Sequence, residues 1–118
     1  GVVAKHKACD AEFENPKRLL ELAAAKDYGR YADASGYLPI NFLSNNDITG
    51  GNSGSPVLNG KGELIGLAFD GNIEAMAGDV IFDPKLQRTI SVDIRYVLWV
   101  VDKYAGATNI IDELTIVE

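Results

Sequence analysis

A glycine-rich loop followed by a tight turn limits what this chain can fold into more than any other feature. The loop is the run Thr49-Gly50-Gly51-Asn52-Ser53-Gly54-Ser55-Pro56, and the turn lies at residues 59–62. Apolar segments at 56–58 and 63–69 flank an Asn-Gly pair, which is the strongest short signal of a β-hairpin. Other β-forming segments lie at residues 38–43, 80–82 and 89–92, the last two as a predicted strand pair. Short strands at this spacing predict a barrel or a sandwich and not a parallel sheet.

Helical patterns flank this β-rich middle. We predict helix over residues 2–26, where Asn15 can cap and Pro16 suits the first helical position. A second helix should follow residue 92, with its start capped by Asp93 or Ser91. Its buried stripe should comprise Ile94, Val97, Leu98, Val101 and Tyr104, and Gly106 should end it. Residues 109–118 are too short and mixed to assign.

Composition excludes several classes of function. The chain has 118 residues, which suits one small domain, and a formal charge of −6. Its few basic residues are dispersed, whereas nucleic-acid binding needs clustered Lys and Arg. No apolar run approaches the roughly 18 residues of a membrane span. Because Cys9 is the only cysteine, no disulfide can form within the chain.

The glycine-rich loop has the residue types that nucleophilic catalysis needs. A serine hydroxyl attacks a carbonyl only when a base removes its proton and N–H groups receive the oxyanion. Ser53 would be the nucleophile, and the amides of Gly51 and Ser53 would form the oxyanion hole, as in the serine-peptidase template. An esterase elbow is excluded because it needs glycine two residues after the serine, where Ser55 stands.

A glycine-rich hairpin loop without chemistry is the plain alternative for this run, since Gly and Asn favour turns for conformational reasons alone. Context favours the catalytic interpretation. The order of strand, glycine loop, strand, turn, strand and C-terminal helix is that of the second barrel of chymotrypsin-like peptidases. Asn52 carries no charge for the ion pair that activates zymogens in that superfamily, so the pattern indicates an enzyme that folds directly into its active form.

The chain lacks the remaining parts of a catalytic triad, which needs a histidine base and an acid that orients it. His6 is the only histidine and stands well before the predicted strands, so we interpret it as a surface residue. His6 and Cys9 are too few to bind zinc, which needs three or four ligands, and no cofactor or metal is expected. We therefore expect a C-terminal excerpt of a longer enzyme, inactive by itself.

Longer runs of the sequence closely resemble the bacterial dipeptidyl-peptidases seven and eleven, over nearly the whole chain. These runs are Asp27-Tyr28-Gly29-Arg30-Tyr31-Ala32-Asp33, Asn41-Phe42-Leu43, residues 46–56, Gly66-Leu67-Ala68-Phe69-Asp70-Gly71-Asn72, Phe82-Asp83-Pro84 and residues 87–96. The resemblance implies a mainly β fold with flanking helices, the second β-barrel of a trypsin-like double-barrel peptidase. Residues 1–36 would return from an inserted helical domain, and residues 37–118 would form the C-terminal barrel half with its terminal helix.

The resemblance also implies roles for individual residues. Ser53 matches the family nucleophile, and Asp70 matches the acid that binds the free amino terminus of the substrate. Gly71 matches the position that selects the side chain before the cleaved bond. An Asp-Gly pair is by itself equally a turn signal. After Asn72 the family leads us to expect an aromatic residue, and Ile73 stands there instead.

Gly71 further indicates the branch of the family. The resemblance implies an arginine here in enzymes that cleave after Asp or Glu, whereas glycine leaves an open pocket for apolar side chains. We therefore expect release of dipeptides with a hydrophobic second residue, by a periplasmic or cell-surface enzyme of a Gram-negative bacterium. Its partners would be peptide substrates and the upstream barrel and helical domain of the same chain. Apolar surface exposed on an isolated half would favour self-association, for example as a homodimer.

Two other functions fit part of the sequence. A chymotrypsin-like bacterial endopeptidase would explain Ser53 but not Asp70. A non-catalytic binding module with a decayed peptidase fold would not need the intact glycines and serine of the loop. Cleavage of a substrate with a blocked amino terminus would indicate the endopeptidase, and failure to react with a fluorophosphonate would indicate the binding module.

Overall fold

The computed structural model describes residues 2–73, 75 and 85–118, which divide into two compact units. One unit comprises residues 39–97 and contains the sheet. The other combines residues 1–38 with residues 98–118 and contains most of the helices.

The unit of residues 39–97 is built on an antiparallel four-stranded sheet. Its strands are β1 (Asn41–Ser44), β2 (Pro56–Leu58), β3 (Leu64–Gly71) and β4 (Thr89–Asp93), in the spatial order β1-β4-β3-β2. The predicted hairpin of β2 and β3 is confirmed, with a turn in which Asn59 N–H donates to the Glu63 carbonyl at 3.0 Å. The predicted strand at 38–43 begins later, at Asn41. The predicted strand at 80–82 lies outside the described residues.

Small and polar side chains occupy the buried face of this sheet. Ala68, Thr89, Ser91 and Asp93 are all buried. Gly66 is required at the centre of β3, since a Cβ there would lie 2.6 Å from both Phe42 Cε1 and the Val92 carbonyl oxygen. The buried residues of the sheet are therefore small or polar, and the Phe42 ring packs against Gly66.

A bulge interrupts the pairing of β3 with β4. Ala68 is opposite Ser91 and Asp70 is opposite Ile90, so Phe69 is the additional residue. A bulge bends its strand and changes the direction of the neighbouring side chains. Here it lies directly before Asp70 and Gly71, the two predicted substrate-binding residues.

The beginning of the other unit is less helical than predicted. Within residues 2–26 the structure has a 3₁₀ turn at Val3–Lys5 and then α1 over Lys17–Ala24 only. The predicted cap is wrong, because the Asn15 side chain donates to the Val2 carbonyl instead of capping α1. Pro16 is the N-cap rather than the first helical residue, and its carbonyl accepts the Leu20 N–H at 3.2 Å.

The predicted C-terminal helix exists but changes type along its length. Helix α2 (Ile94–Trp99) continues as a π-helical segment (Val100–Tyr104), and α3 (Thr108–Glu113) follows. Asp93 caps α2 as predicted, since its Oδ1 accepts the Arg95 N–H at 2.9 Å. Gly106, with φ +65°, follows the π-helical segment.

The buried centre of this second unit is aromatic. Trp99 is 1% exposed and its indole N–H donates to the Asp27 carbonyl at 2.7 Å. The Tyr31 hydroxyl, also buried, donates to Asp102 Oδ2 at 2.8 Å. The predicted stripe of five residues is only half-buried, and Trp99 was not part of the prediction. Among the described residues no helix is long and apolar enough to cross a bilayer.

Candidate active site

Ser53 lies exposed at the end of the glycine-rich loop, facing the bulge of β3. Its hydroxyl donates to the carbonyl oxygen of Phe69, the bulged residue, at 3.4 Å. This contact is long for an O–H donor, and a carbonyl oxygen is no base. The hydroxyl is thus oriented toward β3 while its proton stays on the serine.

Backbone hydrogen bonds attach the loop to β3. Gly54 N–H donates to the Ala68 carbonyl at 2.6 Å, and Ala68 N–H donates to the Ser55 carbonyl at 2.9 Å. Gly51 and Gly54 have φ values of +97° and +86°, which L side chains rarely adopt. Within the described part of the chain, the N–H groups of Gly51 and Ser53 donate to no protein acceptor. These are the two amides that are predicted from the sequence to form the oxyanion hole.

Asn52 closes the loop on itself. Its N–H donates to the Thr49 carbonyl at 3.2 Å, and its Oδ1 accepts the Thr49 N–H at 2.8 Å. Its carbonyl accepts the Ser55 N–H at 2.9 Å. The side chain thus bonds to Thr49 within the loop. Asn52 therefore holds the backbone between the two candidate oxyanion donors.

Asp70 and Gly71 end β3 directly after the bulge. Asp70 is exposed, its Oδ1 accepts the Gly71 N–H at 2.8 Å, and its Oδ2 accepts no hydrogen bond from the described residues. Gly71 lies beside Ala75, since a Cβ on Gly71 would be 2.7 Å from the Ala75 Cβ. Ile73 is 77% exposed just beyond them.

A cavity of about 260 Å³ brings together three of the four predicted site residues, and Gly51 is not among its lining residues. Ser53, Asp70 and Gly71 all line it, together with Ile48, Thr49, Gly50, Asn52, Ala68, Phe69, Asn72 and Ala75. Asp70 is the only charged residue among these described lining residues. The described lining residues therefore combine a serine hydroxyl, one carboxylate and otherwise uncharged groups.

The family follows from comparison with known proteins. The model of the family described as Peptidase S46 matches residues 1–116. This chain belongs to the peptidase S46 family. It is 67% identical over 117 residues to Dipeptidyl-peptidase 7 of Capnocytophaga gingivalis. That match covers 99% of this chain and 16% of the relative.

Two further S46 relatives extend the comparison. An Asp/Glu-specific dipeptidyl-peptidase of Capnocytophaga gingivalis is 50% identical over 118 residues, covering 100% of this chain and 17% of the relative. The crystal structure of Porphyromonas endodontalis DPP11 in complex with the dipeptide Arg-Asp matches with a TM-score of 0.93 at 48% identity. That match covers 96% of this chain and 16% of that one. The resemblance seen in the sequence is confirmed, and the chain spans about one sixth of the length of these relatives.

His6 has a local structural role in this S46 chain. It is half-buried rather than on the surface, and its Nδ1 accepts the Asn15 N–H at 3.0 Å. The described residues contain no cluster of His, Cys, Asp and Glu that could bind a metal.

Sequence reasoning missed two residues of the site, Asn72 and Ala75. The Asn72 side chain donates to the Leu86 carbonyl at 2.8 Å and accepts the Arg88 N–H at 2.9 Å. Asn72 occurs in a run quoted for the resemblance, but its position after an Asp-Gly pair suggested only a turn. Ala75 carries no chemical signal in the sequence at all, since its importance depends on proximity to Gly71.

Proposed function

We propose that this chain is the nucleophile-bearing part of a serine-type dipeptidyl-peptidase that prefers a hydrophobic residue before the cleaved bond. The observation that carries the proposal is the common cavity of Ser53, Asp70 and Gly71. The sheet would belong to the second barrel of a double-barrel peptidase, and the first barrel and a helical domain would lie upstream in the parent protein. We place that parent in the periplasm or at the cell surface of a Gram-negative bacterium.

The reaction would begin with attack of Ser53 Oγ on the carbonyl of the second residue. A base from outside this chain would take the hydroxyl proton, replacing the long contact with the Phe69 carbonyl. The N–H groups of Gly51 and Ser53 would bind the oxyanion of the tetrahedral intermediate. The intermediate would collapse by breaking the peptide C–N bond, and the base would give its proton to the leaving amine, which departs with the rest of the peptide. Water would then hydrolyse the acyl-enzyme, which releases the dipeptide and restores the Ser53 hydroxyl.

Asp70 would set the length of the product. A free amino terminus carries a positive charge, and a carboxylate at a fixed distance from the nucleophile binds it through charge-assisted hydrogen bonds. Oδ2 of Asp70 is the oxygen available for this, because Oδ1 accepts the Gly71 N–H. A substrate that places its ammonium at Asp70 presents one fixed peptide bond to Ser53.

The preference for an apolar second residue is supported by the cavity wall. An acidic side chain buried there would find no cation among the described lining residues, and an unpaired buried carboxylate is costly. The 67% identity to a dipeptidyl-peptidase 7, against 50% to an Asp/Glu-specific relative, favours the same branch.

Paired fluorogenic peptides test the proposal on the full-length protein. We expect release of the fluorophore from Xaa-Leu substrates with a free amino terminus, and none when that amine is acetylated. Ser53→Ala should abolish turnover, whereas Ser55→Ala, a serine two positions later in the same loop, should retain it. Cleavage of the acetylated substrate would favour a chymotrypsin-like endopeptidase, and failure of Ser53 to react with a fluorophosphonate would favour a binding module.

A further inference from the structure

Ala75 restricts what can stand at position 71. Two carbon atoms that are not bonded to one another do not approach to 2.7 Å, the separation that a Cβ on Gly71 would have from the Ala75 Cβ. The other neighbours of that Cβ are at ordinary contact distances, with the Arg88 carbonyl oxygen at 3.8 Å and Ile48 Cδ1 at 4.0 Å. Among the described residues, Ala75 is therefore the one in close contact.

The Ala75 methyl group cannot move aside by rotation. An alanine has no side-chain rotamers, so relief requires a backbone shift. Its N–H donates to the Asn72 carbonyl at 2.9 Å, and Asn72 is fixed in turn by its bonds to Leu86 and Arg88. Ala75 is half-buried and lines the cavity beside Gly71.

We propose that Ala75 is a second specificity-determining residue, which with Gly71 sets how large an apolar side chain the cavity accepts before the cleaved bond. The inference rests on the proposed function. Its consequence is that positions 71 and 75 are coupled: glycine at 71 suits alanine at 75, and a longer residue at 71 requires glycine at 75.

The first test changes the volume at position 75 of the full-length enzyme. The substrates are fluorogenic dipeptides with one fixed first residue and Ala, Leu or Phe as the second. Ala75→Val should lower kcat/KM for Leu and Phe about tenfold relative to Ala, since one or two methylenes in an apolar pocket discriminate by roughly that factor or more. Ala75→Gly should raise the Phe to Ala ratio. Ala34→Val, at an exposed alanine outside the lining residues, should change no ratio.

The second test examines the coupling. Gly71→Arg alone should lose activity toward every second residue, because its Cβ meets the Ala75 methyl group. Gly71→Arg combined with Ala75→Gly should regain activity and direct it toward Asp, by at least about tenfold over the single variant. Arginine paired with a carboxylate in a site of this kind supplies a charge-assisted bond of that strength.

Two results would overturn the role of Ala75. One is an equal change in kcat/KM for all second residues, and the other is a Gly71→Arg enzyme as active as the double variant. Failure of the proposed function would give a different result: the unmodified enzyme would cleave only acetylated peptides. In that case the same substitutions are measured on acetylated Ala, Leu and Phe substrates, where the ratios decide the role of Ala75 independently.

Discussion

Asn72 and Arg88 are joined by two hydrogen bonds, one from the Asn72 N–H to the Arg88 carbonyl at 3.0 Å and one from the Arg88 N–H to Asn72 Oδ1 at 2.9 Å. Asn72 Nδ2 adds a bond to the Leu86 carbonyl at 2.8 Å. These bonds hold the end of β3 against the chain that enters β4. Asp70 and Gly71 immediately precede Asn72 in the chain, so their positions depend on these hydrogen bonds.

Removal of the Asn72 side chain should loosen substrate selection. In Asn72→Ala the Arg88 N–H and the Leu86 carbonyl lose their partners, which costs about 1–3 kcal/mol where such groups are partly buried. We expect kcat/KM for the Leu substrate to fall about tenfold, mostly through KM, with less discrimination against Ala and Phe. Asn45→Ala, at an exposed asparagine, is the control. Equal selectivity in the two variants would contradict a positioning role for Asn72.

Asn52 should affect the chemical step rather than binding. Its Oδ1 holds the Thr49 N–H, and its removal frees the loop between the two candidate oxyanion donors. Loss of one oxyanion donor lowers kcat by about 10²–10³-fold in serine peptidases, so a loosened loop in Asn52→Ala should lower kcat by about tenfold or more with little change in KM. Asn109→Ala serves as the matched control. A rise in KM with unchanged kcat would exclude this role.

The secondary structure of the β-rich middle could be predicted from the sequence because it depends on local sequence patterns. The hairpin of β2 and β3 follows from its Asn-Gly turn and its apolar flanks, and the glycine loop follows from residues that must adopt positive φ. Asp93 capped α2 as its position predicted. Each of these features depends on a few neighbouring residues and not on the rest of the fold.

The remaining features depend on tertiary contacts that no local pattern encodes. Trp99 lies off the 3.6-residue stripe, and it is buried through its bond to the Asp27 carbonyl, more than 70 positions earlier. Helix was predicted too far toward the amino terminus, because residues 6–16 form turns, with Cys9 at φ +62° and Lys7 N–H bonded to the Phe13 carbonyl. The proposed role of Ala75 depends on the backbone bringing Ala75 close to Gly71. Local helix and strand propensities do not predict such contacts.

Gly66 should be intolerant of a methyl group. Its Cβ would lie 2.6 Å from the Val92 carbonyl oxygen, which is backbone within β4 and cannot rotate away. We expect Gly66→Ala to destabilise the full-length protein by about 1–3 kcal/mol, the usual cost of overpacking, seen as a lower melting temperature. Gly60→Ala is the control, because a Cβ there meets nothing within 4 Å. A Gly66→Ala protein as stable as Gly60→Ala would show that β3 and β4 can separate without cost.

Tyr31 should make stability fall at alkaline pH. Burial, and then the hydrogen bond to Asp102, raise the pKa of Tyr31 from 10.0 to about 12. Between those values the unfolded chain loses the phenol proton and the folded chain retains it, so the stabilisation present below pH 10 is lost as the pH rises toward 12. The full loss is at most about 3 kcal/mol, since the shift spans about two pKa units and each corresponds to about 1.4 kcal/mol.

Substitution of Tyr31 by phenylalanine tests this assignment, because it removes the phenol proton. Tyr31→Phe should be less stable than the unmodified protein at pH 8, by about 1–2 kcal/mol for the lost bond to a carboxylate. Its melting temperature should then fall less steeply between pH 10 and 12. Burial also raises the pKa of Tyr96, so part of the alkaline loss should persist in this variant. Tyr37→Phe, at an exposed tyrosine, should follow the unmodified protein throughout. Parallel melting curves for Tyr31→Phe and Tyr37→Phe would exclude Tyr31 as the alkaline-sensitive group.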